Sequence, residues 1–293
     1  MHRLAVVCVV LFLAVFLAGQ TKPPAIPGAP PPPKDYVCPM DPDVRSEFPG
    51  KCPRCGMTLV LGIPDPVEYP LHVALKPRLP KPGDSVELTF KISDPKTGAP
   101  VTHFELVHEK LFHMFIVSQD LEFFLHDHPV TSGGGLFRYS GILPKAGMYR
   151  VLADYYPSNG VPQLTATTIF VPGGGLKTAH LSADTSPKHT ENLQVELTTE
   201  PPAPIAGFKT MLFFHLKPAE GLEQYIGAWG HMLAASDDLI DLIHTHPFLA
   251  NGGPDIQFNV IFPRAHTYRL WVQFQRKGVV NTAIFTIPVS ELK

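Results

Sequence analysis

His113-Met-Phe-Ile-Val-Ser-Gln-Asp120-Leu-Glu-Phe-Phe-Leu-His126-Asp-His128-Pro129 recurs later in the chain as His231-Met-Leu-Ala-Ala-Ser-Asp-Asp238-Leu-Ile-Asp-Leu-Ile-His244-Thr-His246-Pro247. Every matched position is displaced by 118 residues, as from His113 to His231. The match resumes after one inserted residue, with Pro144 to Arg150 against Pro263 to Arg269, and upstream VELTFKI (86–92) parallels TMLFFHL (210–216). A copy of about 100 residues is a duplicated domain and not a solenoid repeat. Within each copy the apolar segments are short, rich in β-branched and aromatic residues, and bounded by Gly, Pro, Asn or Asp, which is the pattern of antiparallel sandwich strands.

Composition agrees. Proline accounts for 33 of the 293 residues and glycine for 23, which disfavours long helices because proline lacks a donor and clashes with the preceding turn. Charged residues make up 17% and the formal net charge is -2, so there is no basic excess to attract nucleic acid or an anionic membrane. The expected fold is all-β: two tandem immunoglobulin-like or cupredoxin-like sandwiches at 66–174 and 190–293. A small cysteine knuckle at 36–63 precedes them.

Residues 1–19 read as a signal peptide, with the apolar run Leu4–Ala18 too short for a membrane span of about 20 residues. An uncleaved N-terminal anchor is the alternative, and only then would the protein meet a membrane. Residues 20–35 are a proline-rich linker of polyproline type. The expected location is periplasmic or extracellular.

The knuckle reads Tyr36-Val-Cys38-Pro-Met40-Asp41, then Pro49-Gly50-Lys-Cys52-Pro53-Arg-Cys55-Gly56-Met57. Cys52 and Cys55 form a C-x-x-C turn, Cys38 can fold back as a third thiolate, and Met40 and Met57 can add thioethers. Such soft ligands select Cu(I), Ag(I) or Zn(II) over Mg or Ca. Zinc prefers four firm ligands and would need Asp41 or an outside residue. Three mature cysteines cannot all pair within one chain, which weighs against a disulfide role. This stretch resembles the short heavy-metal-binding domain found beside copper and silver efflux membrane-fusion proteins and at the N-terminus of copper-translocating P-type ATPases. Asp41 stands where that family usually has histidine. The resemblance implies metal handling, most often of copper or silver.

The histidines offer second sites. On an extended strand, positions i and i+2 share a face, so His126 and His128 can reach one ion, with His113 on the neighbouring strand. His231, His244 and His246 repeat the set. Three imidazoles suit Cu(II) or Zn(II); the alternative is structural packing of a turn. Met114 and Met232 are expected on the opposite, core-facing side. The repeats resemble copper-resistance CopC-like and other cupredoxin-like or immunoglobulin-like exported sandwiches.

No G-x-S-x-G, H-E-x-x-H, P-loop or post-strand G-x-G-x-x-G occurs, so no catalytic residue is assigned. The expected function is an exported, non-catalytic heavy-metal-binding protein for copper or silver sequestration or delivery. Its partners would be metal ions and a metal efflux or delivery protein, with no nucleic acid. The alternatives are a zinc-stapled interaction module and, behind it, a copper metalloenzyme using the three-histidine sites.

Overall fold

The computed structural model describes residues 36–41, 44–62, 67–158, 160–174, 179–249 and 251–293. The expected signal peptide or anchor and the proline-rich linker lie outside the described residues. Among those residues there is no helix.

The knuckle is built from three two-residue strands, β1 (Tyr36–Val37), β2 (Arg45–Ser46) and β3 (Val60–Leu61), with β1 paired between the others. The first repeat holds β4 (Leu71–Lys76), β5 (Ser85–Ile92), β6 (Phe112–Ser118), β7 (Phe124–Asp127), β8 (Val130–Gly133), β9 (Leu136–Ile142), β10 (Gly147–Tyr155) and β11 (Gln163–Val171). They form two antiparallel sheets, β4-β5-β9-β8 and β11-β10-β6-β7. The second repeat holds β12 (Lys188–His189), β13 (Gln194–Glu200), β14 (Lys209–Lys217), β15 (Leu222–Glu223), β16 (His231–Ser236), β17 (Leu242–Thr245), β18 (Asp255–Ile261), β19 (Thr267–Arg276) and β20 (Val279–Pro288). Its sheets are β12-β13-β14-β18 and β15-β19-β16-β17, with β20 also paired to β19. The chain is therefore two tandem β-sandwich domains behind a cysteine-bearing knuckle.

Strands β5 and β14 alternate buried and exposed along their length, the mark of a sheet with one face on the core and one toward solvent. Strands β6 and β16 do not alternate: every residue is buried. One face of β6 carries Phe112, Met114 and Ile116 into the first sandwich core, and one face of β16 carries Met232 and Ala234 into the second. The opposite faces supply Phe115, Val117, Leu233 and Ala235 to a third cluster, completed by Leu121, Leu152, Leu239 and Trp271. That third cluster is the joint between the sandwiches. It packs the two histidine-bearing sheets against each other.

Two local devices recur in both copies. Tyr149 and Tyr268 are fully buried; the Tyr149 hydroxyl donates to the carbonyl four residues earlier, Lys145 O at 2.9 Å, and the Tyr268 hydroxyl shares its hydrogen between the equivalent Arg264 O at 3.0 Å and Asp241 Oδ2 at 2.7 Å. The Tyr149 hydroxyl also accepts from Lys145 N at 2.9 Å. Tyr149→Phe would strand both backbone groups. We expect a loss of about 1–2 kcal/mol in urea-induced unfolding; an unchanged midpoint would show that water replaces the hydroxyl. The second device is a two-residue turn with positive φ at both central residues, as type I′ hairpins require. It is His108 (φ 47) and Glu109 (φ 63) in one copy, and Ile226 (φ 50) and Gly227 (φ 67) in the other. The flanking residues pair as Val107 with Lys110 and Tyr225 with Ala228.

Candidate metal centres

The knuckle brings its thiols to one point. Cys38 follows β1 directly. The Cys52–Cys55 turn is closed by Gly56 N donating to Cys52 O at 2.9 Å and Cys52 N donating to Met57 O at 2.7 Å, and Gly56 takes φ 76, where a side chain would be strained. Cys38 Sγ lies 3.4 Å from Cys55 Sγ, and all three cysteines are free thiols. The cluster includes a carboxylate: Asp41 Oδ2 stands 3.4 Å from Cys52 Sγ and 3.7 Å from Cys38 Sγ. Its other oxygen accepts from Arg54 Nη1 at 3.0 Å. Three sulfurs and one oxygen thus lie within 4.8 Å of one another. The hydrogen bond donated by Cys55 holds the Cys38 thiol down, to about 6, whereas the same bond and burial push Cys55 up. Burial also raises Cys52.

Met57 is buried against Val107 and Tyr156 of the first sandwich, with Met40 and Cys55 beside it. The two methionines fasten the knuckle to that sandwich, packed beside Cys55. Arg54 adds a second fastening by lying 4.4 Å above the Phe248 ring of the second repeat.

The six histidines are brought together as two triads. In the first, His128 Nε2 lies 3.2 Å and His126 Nε2 lies 3.4 Å from His113 Nδ1. In the second, His246 Nε2 lies 3.1 Å from His231 Nδ1, and a ring nitrogen of His244 lies within 4.8 Å of both. The β6–β7 register, Phe115 opposite His126, explains the first meeting, and Leu233 opposite His244 explains the second. The far nitrogens are held too. His113 Nε2 and His231 Nε2 donate to Val107 O and Tyr225 O, both at 2.9 Å, which are the first residues of the paired type I′ turns. His126 Nδ1 meets Gln273 Oε1 at 2.7 Å, and His244 Nδ1 meets Asp154 Oδ2 at 2.6 Å. Burial pushes His113, His126 and His128 down to about 3, and drives His231 and His246 well below the usual histidine range.

Three participating groups are absent from the sequence reading, His108, Asp154 and Gln273, whereas Asp41, named there as a fourth ligand for zinc, stands beside two of the thiols. Asp154 and Gln273 sit opposite His113 and His231 in the β10 and β19 pairings, so they are equivalent positions of the two repeats. A polar residue at that position inside each of two apolar strands is the signal that marks them. His108 has no such signal, because its equivalent is Ile226. Its ring packs on His246 with centroids 3.8 Å apart. In a fourth cluster, Asp237, Asp238 and His266, the Asp238 carboxylate is already paired with Arg264 at 2.8 Å and Asp237 with His266 at 2.7 Å.

A cavity of about 520 Å³ joins the knuckle to the second triad, with Met40, Asp41 and Cys55 on one wall and Asp154, His244 and His246 on another.

The fold and site define a heavy-metal-binding β-sandwich protein. Residues 67–172 and 188–291 match the profile of a family described as a domain of unknown function (DUF8832), and the chain belongs to that family. Residues 36–60 match a heavy metal binding domain. A copper-transporting P-type ATPase of Rhizobium leguminosarum bv. viciae is 53% identical over 47 residues, which is 15% of this chain and 6% of the ATPase. Among solved structures, the Yersinia pseudotuberculosis adhesin InvE aligns at 11% identity over 74% of this chain and 58% of its own, with a TM-score of 0.25. A two-domain fibronectin type-III segment of chicken tenascin aligns at 9% identity over 75% of this chain and 99% of its own, with a TM-score of 0.24.

Proposed function

We propose that the protein captures a soft heavy-metal ion, Cu(I) or Ag(I), at the knuckle and serves in metal tolerance by sequestering or delivering it outside the cytoplasm, without catalysing a reaction. The observation that carries this reading is the convergence of three free thiols, Cys38, Cys52 and Cys55, around one point, with Met40 and Met57 adjacent. Thiolate and thioether donors favour Cu(I) and related soft ions. The short likeness to a copper-transporting ATPase supports copper. An efflux or delivery protein is the expected partner, with the cargo passed through thiolate exchange. A second reading, a zinc-stapled interaction module, draws on Asp41 Oδ2, since three sulfurs and one oxygen match zinc's four-ligand habit.

The test is anaerobic titration of the chain with Cu(I), Ag(I) and Zn(II) in competition, read by mass spectrometry of the intact complex. We expect one tightly held Cu(I) or Ag(I) that disappears in Cys52→Ser/Cys55→Ser. Unchanged stoichiometry in that variant would remove the knuckle from the assignment. Preferential, chelator-resistant zinc at the same cysteines would favour the staple.

A further inference from the structure

We infer that the two histidine triads form a paired centre for two divalent, imidazole-preferring ions of the Zn(II) or Cu(II) class, assembled only where the two sandwiches dock, with the second-repeat site filling first. It is a separate site from the thiol knuckle and takes a different class of ion.

The argument begins with protons. His113 Nε2 faces a backbone carbonyl and His126 Nδ1 faces an amide oxygen. Both acceptors lack a proton, so each ring carries its hydrogen there. In that orientation Gln273 Nε2 donates to Thr282 Oγ1 at 3.1 Å, so both ends of the amide are satisfied. The remaining nitrogens, His113 Nδ1 and His126 Nε2, are then bare lone pairs 3.4 Å apart. Two acceptors facing each other in a buried site repel, and a second proton on His126 would bury a cation backed only by an amide. A metal ion between them and His128 Nε2 removes the conflict and uses all three lone pairs.

The second triad repeats the logic. His231 Nε2 donates to Tyr225 O, so its Nδ1 is an acceptor. His244 Nδ1 is taken by Asp154, and its side chain is 1% exposed. Its Nε2 is buried with no hydrogen-bond partner among the described residues. An unsatisfied buried nitrogen aimed into a cluster of two other imidazole nitrogens is the signature of a ligand position.

The triads interlock. His126 of the first repeat is oriented by Gln273 of the second, 147 residues away, and His244 of the second by Asp154 of the first, 90 residues away. Ring centroids across the two triads are 5.7 Å apart for His113 and His231 and 6.2 Å for His126 and His244. Neither sandwich alone can orient its own His-x-His pair. Three imidazoles with no thiolate suit Zn(II) or Cu(II).

The order of filling follows from the group that backs the first histidine of each His-x-His pair, Asp154 behind His244 and Gln273 behind His126. A carboxylate behind a ligating histidine raises its basicity and adds negative charge beside the ion, and losing such a partner costs about 10–100-fold in affinity. Asp154 supplies this to the second-repeat site; Gln273 supplies only a neutral amide to the first. The second-repeat site also borders the cavity, which gives the ion an entry path.

The test uses the full chain carrying Cys38→Ser, Cys52→Ser and Cys55→Ser, so failure at the knuckle cannot be mistaken for failure here. Cu(II) is added in a glycine buffer that strips single surface histidines, and each addition is followed by electron paramagnetic resonance. We expect two Cu(II) per chain, each with nitrogen hyperfine structure from imidazole. Dipolar broadening should develop as the second ion enters. His244→Ala/His246→Ala should abolish the first equivalent and His126→Ala/His128→Ala the second. Asp154→Asn should weaken the first equivalent by about 10–100-fold. Gln273→Glu, which changes little in size, should tighten the second equivalent. No bound Cu(II) in the glycine buffer, or two ions without dipolar interaction, would overturn the paired centre. An unchanged filling order in both Asp154→Asn and Gln273→Glu would overturn the assigned order.

Discussion

Trp271→Ala lowers the free energy of unfolding by about 3–5 kcal/mol, the range for removing a large buried aromatic. Trp271 is 1% exposed and stacks on Phe124 of the other repeat at 5.0 Å, with planes 8° apart. Its indole Nε1 has no hydrogen-bond partner among the described residues, so the substitution removes packing and apolar burial without breaking a polar contact. The loss falls on the joint between the sandwiches and not on either internal core. Urea unfolding of the wild type should follow one coupled transition for both repeats, and Trp271→Ala should split it. Phe285→Ala is the control: it lies inside the second core, so it should destabilise that repeat without exposing the joint. If Trp271→Ala leaves a single transition with an unchanged midpoint, the sandwiches do not depend on this contact for their docking.

The docking is the part of the fold that sequence pattern conveys least. Each sandwich was legible because its strands are short β-branched and aromatic runs bounded by turn residues, and because the 118-residue offset repeats the whole arrangement. Strands β6 and β16 are apolar on both faces, and periodicity alone does not say whether the second face meets a core, a partner or another repeat. The histidine triads were legible to the same degree. Spacing within one strand places His126 beside His128, and pairing with the next strand brings in His113. The groups that orient those rings come from the other repeat, and no local spacing encodes a contact such as His126 with Gln273. The knuckle was legible because its ligands lie close in sequence around a forced glycine turn. The direction of the Asp41 carboxylate is the exception. In sequence Asp41 replaces an expected histidine and is a fourth ligand only if zinc is the ion. In three dimensions Arg54 takes one of its oxygens, which turns the other toward Cys38 and Cys52.

That carboxylate governs the choice between the two readings of the knuckle. Asp41→Ala should reduce zinc affinity at the thiols more than tenfold, a cost above about 1.4 kcal/mol at 25 °C, because zinc loses its fourth firm ligand. Silver or Cu(I) affinity should change by less than about threefold, since soft ions are satisfied by two or three sulfurs. Co(II) is a convenient stand-in for zinc, because its thiolate charge-transfer absorption reports only on the cysteines and ignores the histidine centre. Asp41→Asn separates charge from shape: it can keep the contact with the loop while losing the anion that pairs with Arg54 at 3.0 Å. A matched fall for silver and Co(II) in both variants would mean that Asp41 acts by positioning Cys38 and Cys52 through its contacts with their sulfurs. An unchanged Co(II) affinity would remove the carboxylate from the ligand set and with it the zinc-staple reading. Selective loss of the harder ion, with the soft ion retained, would identify the knuckle as a three-sulfur site whose carboxylate admits zinc without excluding copper or silver.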